Sequence, residues 1–355
     1  MSRSQPAAGA NAPIPRAPAP SMRAVAYART GPARDVLKLV QRPRPEPGPG
    51  EVRVRLAWSG VNPSDVKSRA GTRSNVLPFP QVVPHSDGAG VIDAVGEGVP
   101  AERLGEAVWI WNGAWNRADG TAAEWIVVPS AQAPRLPAGV PLEVGASLGI
   151  PALTAAHAVA VDGGVAGQRV LVAGGAGAVG HYAVQMARLL GARQVIATVS
   201  SESKAELARA AGADVVIDYR REDVLERIQQ ITEGAGVDRI IEVDVAANLA
   251  QDLAAIAQGG LVVVYGSGAG EIAVPFVPAI LKHARLSFFV VYNLTEADRT
   301  AAIGQVHAWL AAGALQHNIA LRLPLECVAQ AHEAVESGGV TGNVVLGLDL
   351  PAAQS

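Results

Sequence analysis

The chain reads as an α/β protein of two units. One is a turn-rich, antiparallel, partly barrel-shaped β unit; the other is a doubly wound parallel sheet with helices on both faces. Three observations predict this. Up to about residue 148 the apolar segments are short, alternate with polar residues and are separated by Gly and Pro. From about 149 to 291 short apolar runs alternate with segments of helical period, which pack best as a parallel sheet. One of those runs leads through a glycine-rich turn into a helix. A length of 355 residues fits two domains at roughly 150 residues each.

Composition narrows the function classes. Hydrophobic residues make up 49% and charged residues 17%, enough apolar material for a large core. The 29 basic and 32 acidic residues give a formal charge of −3, with no block of one sign, which argues against a nucleic-acid or anionic-membrane surface. No uncharged run of about 18 apolar residues is present, so no membrane span is expected. Cys327 is the single cysteine. An intrachain disulfide and a multi-cysteine zinc site are therefore excluded, and a reducing compartment, the cytoplasm, is expected.

Residues 1–21 are rich in Ala and Pro and predict a disordered extension. They lack the apolar core of a secretory signal, and their prolines oppose the amphipathic helix of a transit peptide. In 51–57 (EVRVRLA), Val52, Val54 and Leu56 alternate with Arg53 and Arg55, the period of a strand with one wet face. Further strands are expected at 23–28, 90–95, 107–110 and 123–128. In the second unit, strands are expected at 169–173, 194–199, 214–217, 238–243 and 261–265. Helices are expected at 178–190, 203–211, 222–232 and 248–257. After 291 come a helix (296–312), a strand (320–323), a helix (325–337) and a last strand (343–348).

The glycine turn is the strongest local signal. Gly175-x-Gly177-x-x-Gly180 follows a strand and opens a helix. The first glycine permits the tight turn, Gly177 lets the backbone approach a pyrophosphate, and Gly180 lets the helix pack on the sheet. The helix start, with Ala178 and Val179, offers N–H groups and partial positive charge to phosphates. An NAD site places an acid about 20 residues further on. Here the second strand ends in Ser200 and Ser201, and Lys204 follows, a set that favours a 2′-phosphate and hence NADPH. Glu202 is expected to point away.

With these segments the sequence resembles the zinc-free quinone oxidoreductases, the zeta-crystallin-like branch of the medium-chain dehydrogenases/reductases. The resemblance runs from Met22 to Leu348. It rests on MRAVAY, GVNPSD (60–65), SDGAGVI (86–92), Gly149-Ile150-Pro151, Thr154-Ala155, the glycine turn, Asp218-Tyr219-Arg220, Val264-Tyr265-Gly266-Ser267 and the segment from Pro324 to Leu346. It implies a GroES-like catalytic domain (22–148 and 292–355) interrupted by a Rossmann NADPH-binding domain (149–291), with the active site in the cleft between them. It also implies cofactor contacts from Asn62, Thr154, Tyr219, Gly266 and Ser267. Zinc-dependent relatives carry Cys, His and Cys at positions that match Asn62, Ser86 and Ile150 here, so no metal is expected.

Without a Lewis acid the acceptor must already be electrophilic. Quinones and α,β-unsaturated carbonyls qualify, because the charge that follows hydride transfer is delocalised. Asn62 reads either as a group that orients nicotinamide or acceptor, or as a turn-stabilising residue before Pro63. Lys67 and Arg73 stand where many family members carry tyrosines; Lys67 reads as an oxyanion-stabilising cation or as a surface residue. The stretch 109–125 holds four of the six tryptophans, and Trp115 is the candidate substrate wall. His157, His181 and His332 read as structural, and Cys327 as a small packed residue. The hydrophobic run 286–291 (LSFFVV) needs cover if it edges the sheet. The resemblance implies a homodimer through it. The expected activity is NADPH-dependent reduction of quinones or related enones. The alternatives are an enoyl or alkenal double-bond reductase, or a non-catalytic NADPH-binding redox sensor.

Overall fold

In the computed structural model, residues 20–72 and 74–350 are described. Most of the expected 1–21 tail, the last five residues and Arg73 lie outside them. The chain opens with β1 (Ser21–Ala26), α1 (Ala33–Val36) and β2 (Lys38–Pro43), then β3 (Glu51–Val61), α2 (Pro63–Ala70), β4 (Asp87–Val95), β5 (Ala107–Ile110) and β6 (Trp125–Pro129). Two helices follow, α3 (Leu142–Gly145) and α4 (Leu153–Ala160), separated by a wide helical turn at Leu148–Ala152. The alternating part runs β7 (Arg169–Val172), α5 (Ala178–Leu189), β8 (Gln194–Val199), α6 (Glu202–Ala210), β9 (Val215–Asp218), α7 (Val224–Thr232), β10 (Val237–Glu242), α8 (Val245–Ala255), β11 (Ile256–Val264), α9 (Phe276–Lys282) and β12 (Arg285–Phe288). The end of the chain supplies α10 (Glu296–Ala311), β13 (Ile319–Pro324), α11 (Val328–Glu336) and β14 (Asn343–Gly347).

The alternating part forms a six-stranded sheet in the order β12-β11-β10-β7-β8-β9, every pair parallel. Its central strands are almost wholly buried, so β7 and β8 read as apolar runs after their first residue, whereas β10 (VDRIIE) carries Arg239 and Glu242 into the interior. The order reverses beside β7, and the crevice at such a switch point lies beyond the carboxyl ends of the strands. The glycine turn sits there.

The second six-stranded sheet runs β13-β14-β3-β4-β5, with β6 also on β3. Its β3–β4, β4–β5, β3–β6 and β14–β3 pairs are antiparallel. The β1–β2 ribbon joins it through the Ala24–Ala123 bridge. Because β14 pairs with β3, the end of the chain returns to the sheet built by its beginning. The architecture is thus a GroES-like β unit plus a Rossmann sheet. α4 packs on α5 and α10 at the junction.

The hydrophobic run at 286–291 behaves differently along its length. Only Arg285–Phe288 is strand. Phe289 turns inward, its ring centroid 4.6 Å from that of His157, and the Tyr292 hydroxyl meets Ser64 of α2. β2, α2, α4 and α9 had no counterpart among the expected elements.

Candidate active site

Gly174 adopts φ +67°, the left-handed conformation the turn needs. The Gly175 N–H donates to Thr198 O (3.0 Å) and the Gly174 N–H to Thr198 Oγ1 (3.2 Å), pinning the turn on β8. A Cβ on Gly175 would lie 2.6 Å from Ala197 Cβ, so only glycine crosses this strand. Gly177 starts α5 with no capping side chain, and no acid occupies the first turn. The first helical bond is His181 N–H to Gly177 O (2.9 Å), which leaves the N–H groups of Ala178, Val179 and Gly180 for an anion.

At the tip of β8, Lys204 Nζ donates to Ser200 Oγ (2.9 Å), and Ser201 caps α6. Glu202 turns away into an ion pair with Arg209 (2.6 Å). The Tyr219 N–H donates to Val199 O (3.1 Å), which sets this half-exposed ring beside the same tip. A cation, hydroxyls and no inward acid therefore share one corner. This donor set fits a phosphorylated ribose.

The crevice has a second wall beyond β10 and β11. A Cβ on Gly266 would collide with the Val243 carbonyl, so the loop after β11 lies directly on the turn after β10. Asp244 Oδ1 accepts from the Gly268 N–H (2.7 Å). Lys67 reaches this loop from α2, its Nζ 3.2 Å from Ser267 O. It joins the two units. Thr154 is buried on α4.

Asn62 and Ile150 converge on the buried carboxyl of Asp87, while Ser86 lines the neighbouring cavity. Asp87 Oδ2 accepts from Asn62 Nδ2 (3.0 Å) and from the Ile150 N–H (3.1 Å). Burial, reinforced by the negative charge of Asp65, raises the Asp87 pKa well above the usual carboxylate range. Asn62 also starts α2, its N–H donating to Asp65 Oδ2 (2.8 Å). These residues do not fit a catalytic zinc: Ile150 has no donor atom, and the Asn62 amide is committed to Asp87. Among the described residues no cluster of three or more His, Cys, Asp or Glu could hold a metal ion. The neighbouring His85 Nδ1 meets Ser59 Oγ (2.9 Å) and its Nε2 meets His332 Nε2 (2.8 Å). It belongs to a closed internal network.

Beside this seam lies a cavity of about 200 Å³, lined by Ser64 and Ser68 of α2, by Ser86, Leu77 and Trp115, and by Tyr292. Trp115 stacks on Tyr292, with ring centroids 4.4 Å apart and planes 13° from parallel. The Tyr292 hydroxyl is 2.9 Å from Ser64 Oγ. The sequence reading named Trp115 but missed Tyr292, which is 228 residues from Ser64 and carries no motif. It also missed Asp87 as an anchor. The SDGAGVI segment was the available signal, but it does not reveal whom the carboxyl binds.

A glycine turn at the switch point of a parallel sheet, facing a GroES-like unit across a cleft, defines a nucleotide-dependent oxidoreductase of the medium-chain type. Residues 48–138 match the alcohol dehydrogenase GroES-like domain, and residues 178–308 match the zinc-binding dehydrogenase domain. The chain is 32% identical to human (Homo sapiens) quinone oxidoreductase over 83% of this chain and 88% of that protein. A structure titled NAD-dependent alcohol dehydrogenase superposes with TM-score 0.84 at 31% identity, covering 92% of this chain and all of that one. A mycobacterial protein solved with NADPH gives 0.80 at 30% identity, over 92% and 99%. The chain belongs to the quinone oxidoreductase family of the medium-chain dehydrogenases/reductases, and it is an oxidoreductase. No helix among the described residues is long and apolar enough to cross a membrane.

Proposed function

We propose that this chain is an NADPH-dependent, zinc-independent reductase of quinones or related α,β-unsaturated carbonyls. The carrying observation is the donor set at the seam: Asn62 and Ile150 are organised around Asp87 and not for a metal. Reduction then needs an acceptor that stabilises its own charge. NADPH, when bound, supplies a hydride. The N–H groups of Ala178, Val179 and Gly180 would hold its pyrophosphate, and Ser200, Ser201, Lys204 and Tyr219 its phosphorylated ribose. Thr154, Gly266 and Ser267 would line the nicotinamide end. Asn62 would orient the reacting groups through its tie to Asp87. Lys67 would close the cleft on the Ser267 loop and add positive charge beside the acceptor. The cavity would exclude water and hold a flat acceptor against Trp115.

The same proposal takes 22–148 with 292–355 as the catalytic domain and 149–291 as the nucleotide domain. It also takes the half-buried free Cys327 as suited to the cytoplasm. A homodimer through β12 is supported by its unpaired outer edge and by the exposed Phe288. Stopped-flow oxidation of NADPH and NADH against a quinone panel and an enal panel tests the activity, with zinc analysis of the same sample. Fast quinone turnover with NADPH in metal-free protein is expected. Equal rates with NADH, or activity that tracks bound zinc, would overturn the reading.

A further inference from the structure

The cavity beside α2 has a polar end formed by Ser64, Ser86 and Tyr292, groups far apart in sequence that the GroES-like unit brings together. We propose that Tyr292 grips the carbonyl oxygen of the acceptor, its phenol O–H donating to that oxygen while its ring, backed by Trp115, walls the chamber. This rests on reading the chain as a reductase of carbonyl-conjugated acceptors, and it names a specificity-determining residue for that reaction.

Tyr292 is held from three sides. Its backbone carbonyl accepts from Asn112 Nδ2 (3.0 Å) and from an Arg299 guanidinium N–H (3.0 Å), and the same Arg299 nitrogen also donates to Val291 O. Arg299 in turn lies 4.1 Å from the Trp111 ring. The Tyr292 ring is fixed by the Trp115 stack. Its hydroxyl and Ser64 Oγ are 2.9 Å apart. Ser86 is a second hydroxyl partner of the phenol; with both serines donating to the phenolic oxygen, the phenol's own proton is left for a ligand and is polarised further. Burial raises the phenol pKa, so the group remains an O–H donor through the neutral range.

The balance is simple. The acceptor gains a hydride at carbon, and negative charge appears on its oxygen. Tyr292 stabilises that charge by a hydrogen bond and keeps its proton; the reduced acceptor takes its proton from water. Ser64 lies on the same short helix as Lys67, so the grip is adjacent to the Ser267 loop on which the nicotinamide end is proposed to rest.

The test is Tyr292→Phe in the full chain, which removes one oxygen and keeps the stack. With NADPH and 1,4-benzoquinone, kcat/KM for the quinone should fall about tenfold, with the NADPH KM within twofold and Tm unchanged. A variant with quinone kcat and KM within twofold of the wild type overturns the proposal. If the wild type reduces 2-hexenal but no quinone, the quinone reading fails separately. Tyr292 is then judged on the enal, whose oxygen makes the same demand: a tenfold loss supports it and no loss overturns it. If neither acceptor turns over, the reductase reading fails, and calorimetry with hydroquinone decides Tyr292. Binding weakened tenfold in the variant supports the grip; equal binding, or none, overturns it. Should the variant misfold, Ser64→Ala replaces it. A threefold or larger loss in quinone kcat/KM is expected there, and an unchanged value overturns the proposal.

Discussion

Gly177 and Gly180 sit three residues apart on one turn, yet a methyl group added at each meets different surroundings. At Gly177 the new Cβ would meet only the Gly174 carbonyl oxygen, at 3.3 Å, and otherwise open space. At Gly180 it would drive into that same carbonyl and the Gly174–Gly175 backbone. Gly177→Ala should therefore keep Tm within about 1 °C while raising the NADPH KM roughly tenfold, because the methyl stands where phosphate must approach. Gly180→Ala should cost about 2 kcal/mol through backbone displacement, lowering Tm by roughly 3 °C in a chain of this size. Paired thermal melts and NADPH titrations check both. Such residues are legible in sequence because their reason is local: a strand, a turn and a helix within ten residues. The Ser200–Lys204 pair is legible for the same reason. Tyr292 and Asp87 are not, since each acquires its meaning from groups many positions away that only the folded chain assembles.

At the level of elements, the buried parallel strands announce themselves. The expected 194–199 is β8 to the residue, because six residues from Gln194 to Val199 are almost wholly buried. α2 is harder to read. Of its buried residues Asp65, Val66 and Arg69, only one is apolar. Arg69 is tolerated inside because it donates to Gly31 O (2.6 Å) and pairs with Glu336 (2.8 Å), partners at the far ends of the same unit. α9 is hidden for the opposite reason: it buries no residue at all. Phe276, Val277, Ile280 and Leu281 are exposed, as is Phe288 on the adjoining edge strand. These exposed apolar side chains support the proposed dimer contact. Phe288→Glu should convert the proposed dimer to monomer without lowering the secondary-structure content. Light scattering reads the mass, and an unchanged dimer would move the contact elsewhere.

The whole molecule carries two opposing pH responses. Burial, with the nearby charge of Glu242, raises the Asp252 pKa from 3.8 to about 8. Glu242 Oε2 and Asp252 Oδ2 are both buried without a donor, and one proton shared between the carboxyls satisfies both. The folded chain thus holds a proton that the unfolded chain releases above pH 4, so this contribution to stability declines as pH rises toward 8. Burial lowers the His85 pKa from 6.5 to about 3. The unfolded chain takes up that proton first, and stability declines as pH falls from 6.5 toward 3. Asp252→Asn should flatten the alkaline limb of a Tm-against-pH curve and leave the acid limb in place. An unchanged alkaline limb would show that the pair is not protonated.

α2 faces two ways. Ser64 and Ser68 border the cavity proposed to hold the acceptor, while Lys67, on another side of the same two turns, rests on the loop after β11. A rigid rod with one flank in each compartment transmits displacement: when the crevice gapes, the chamber wall is dragged along with it.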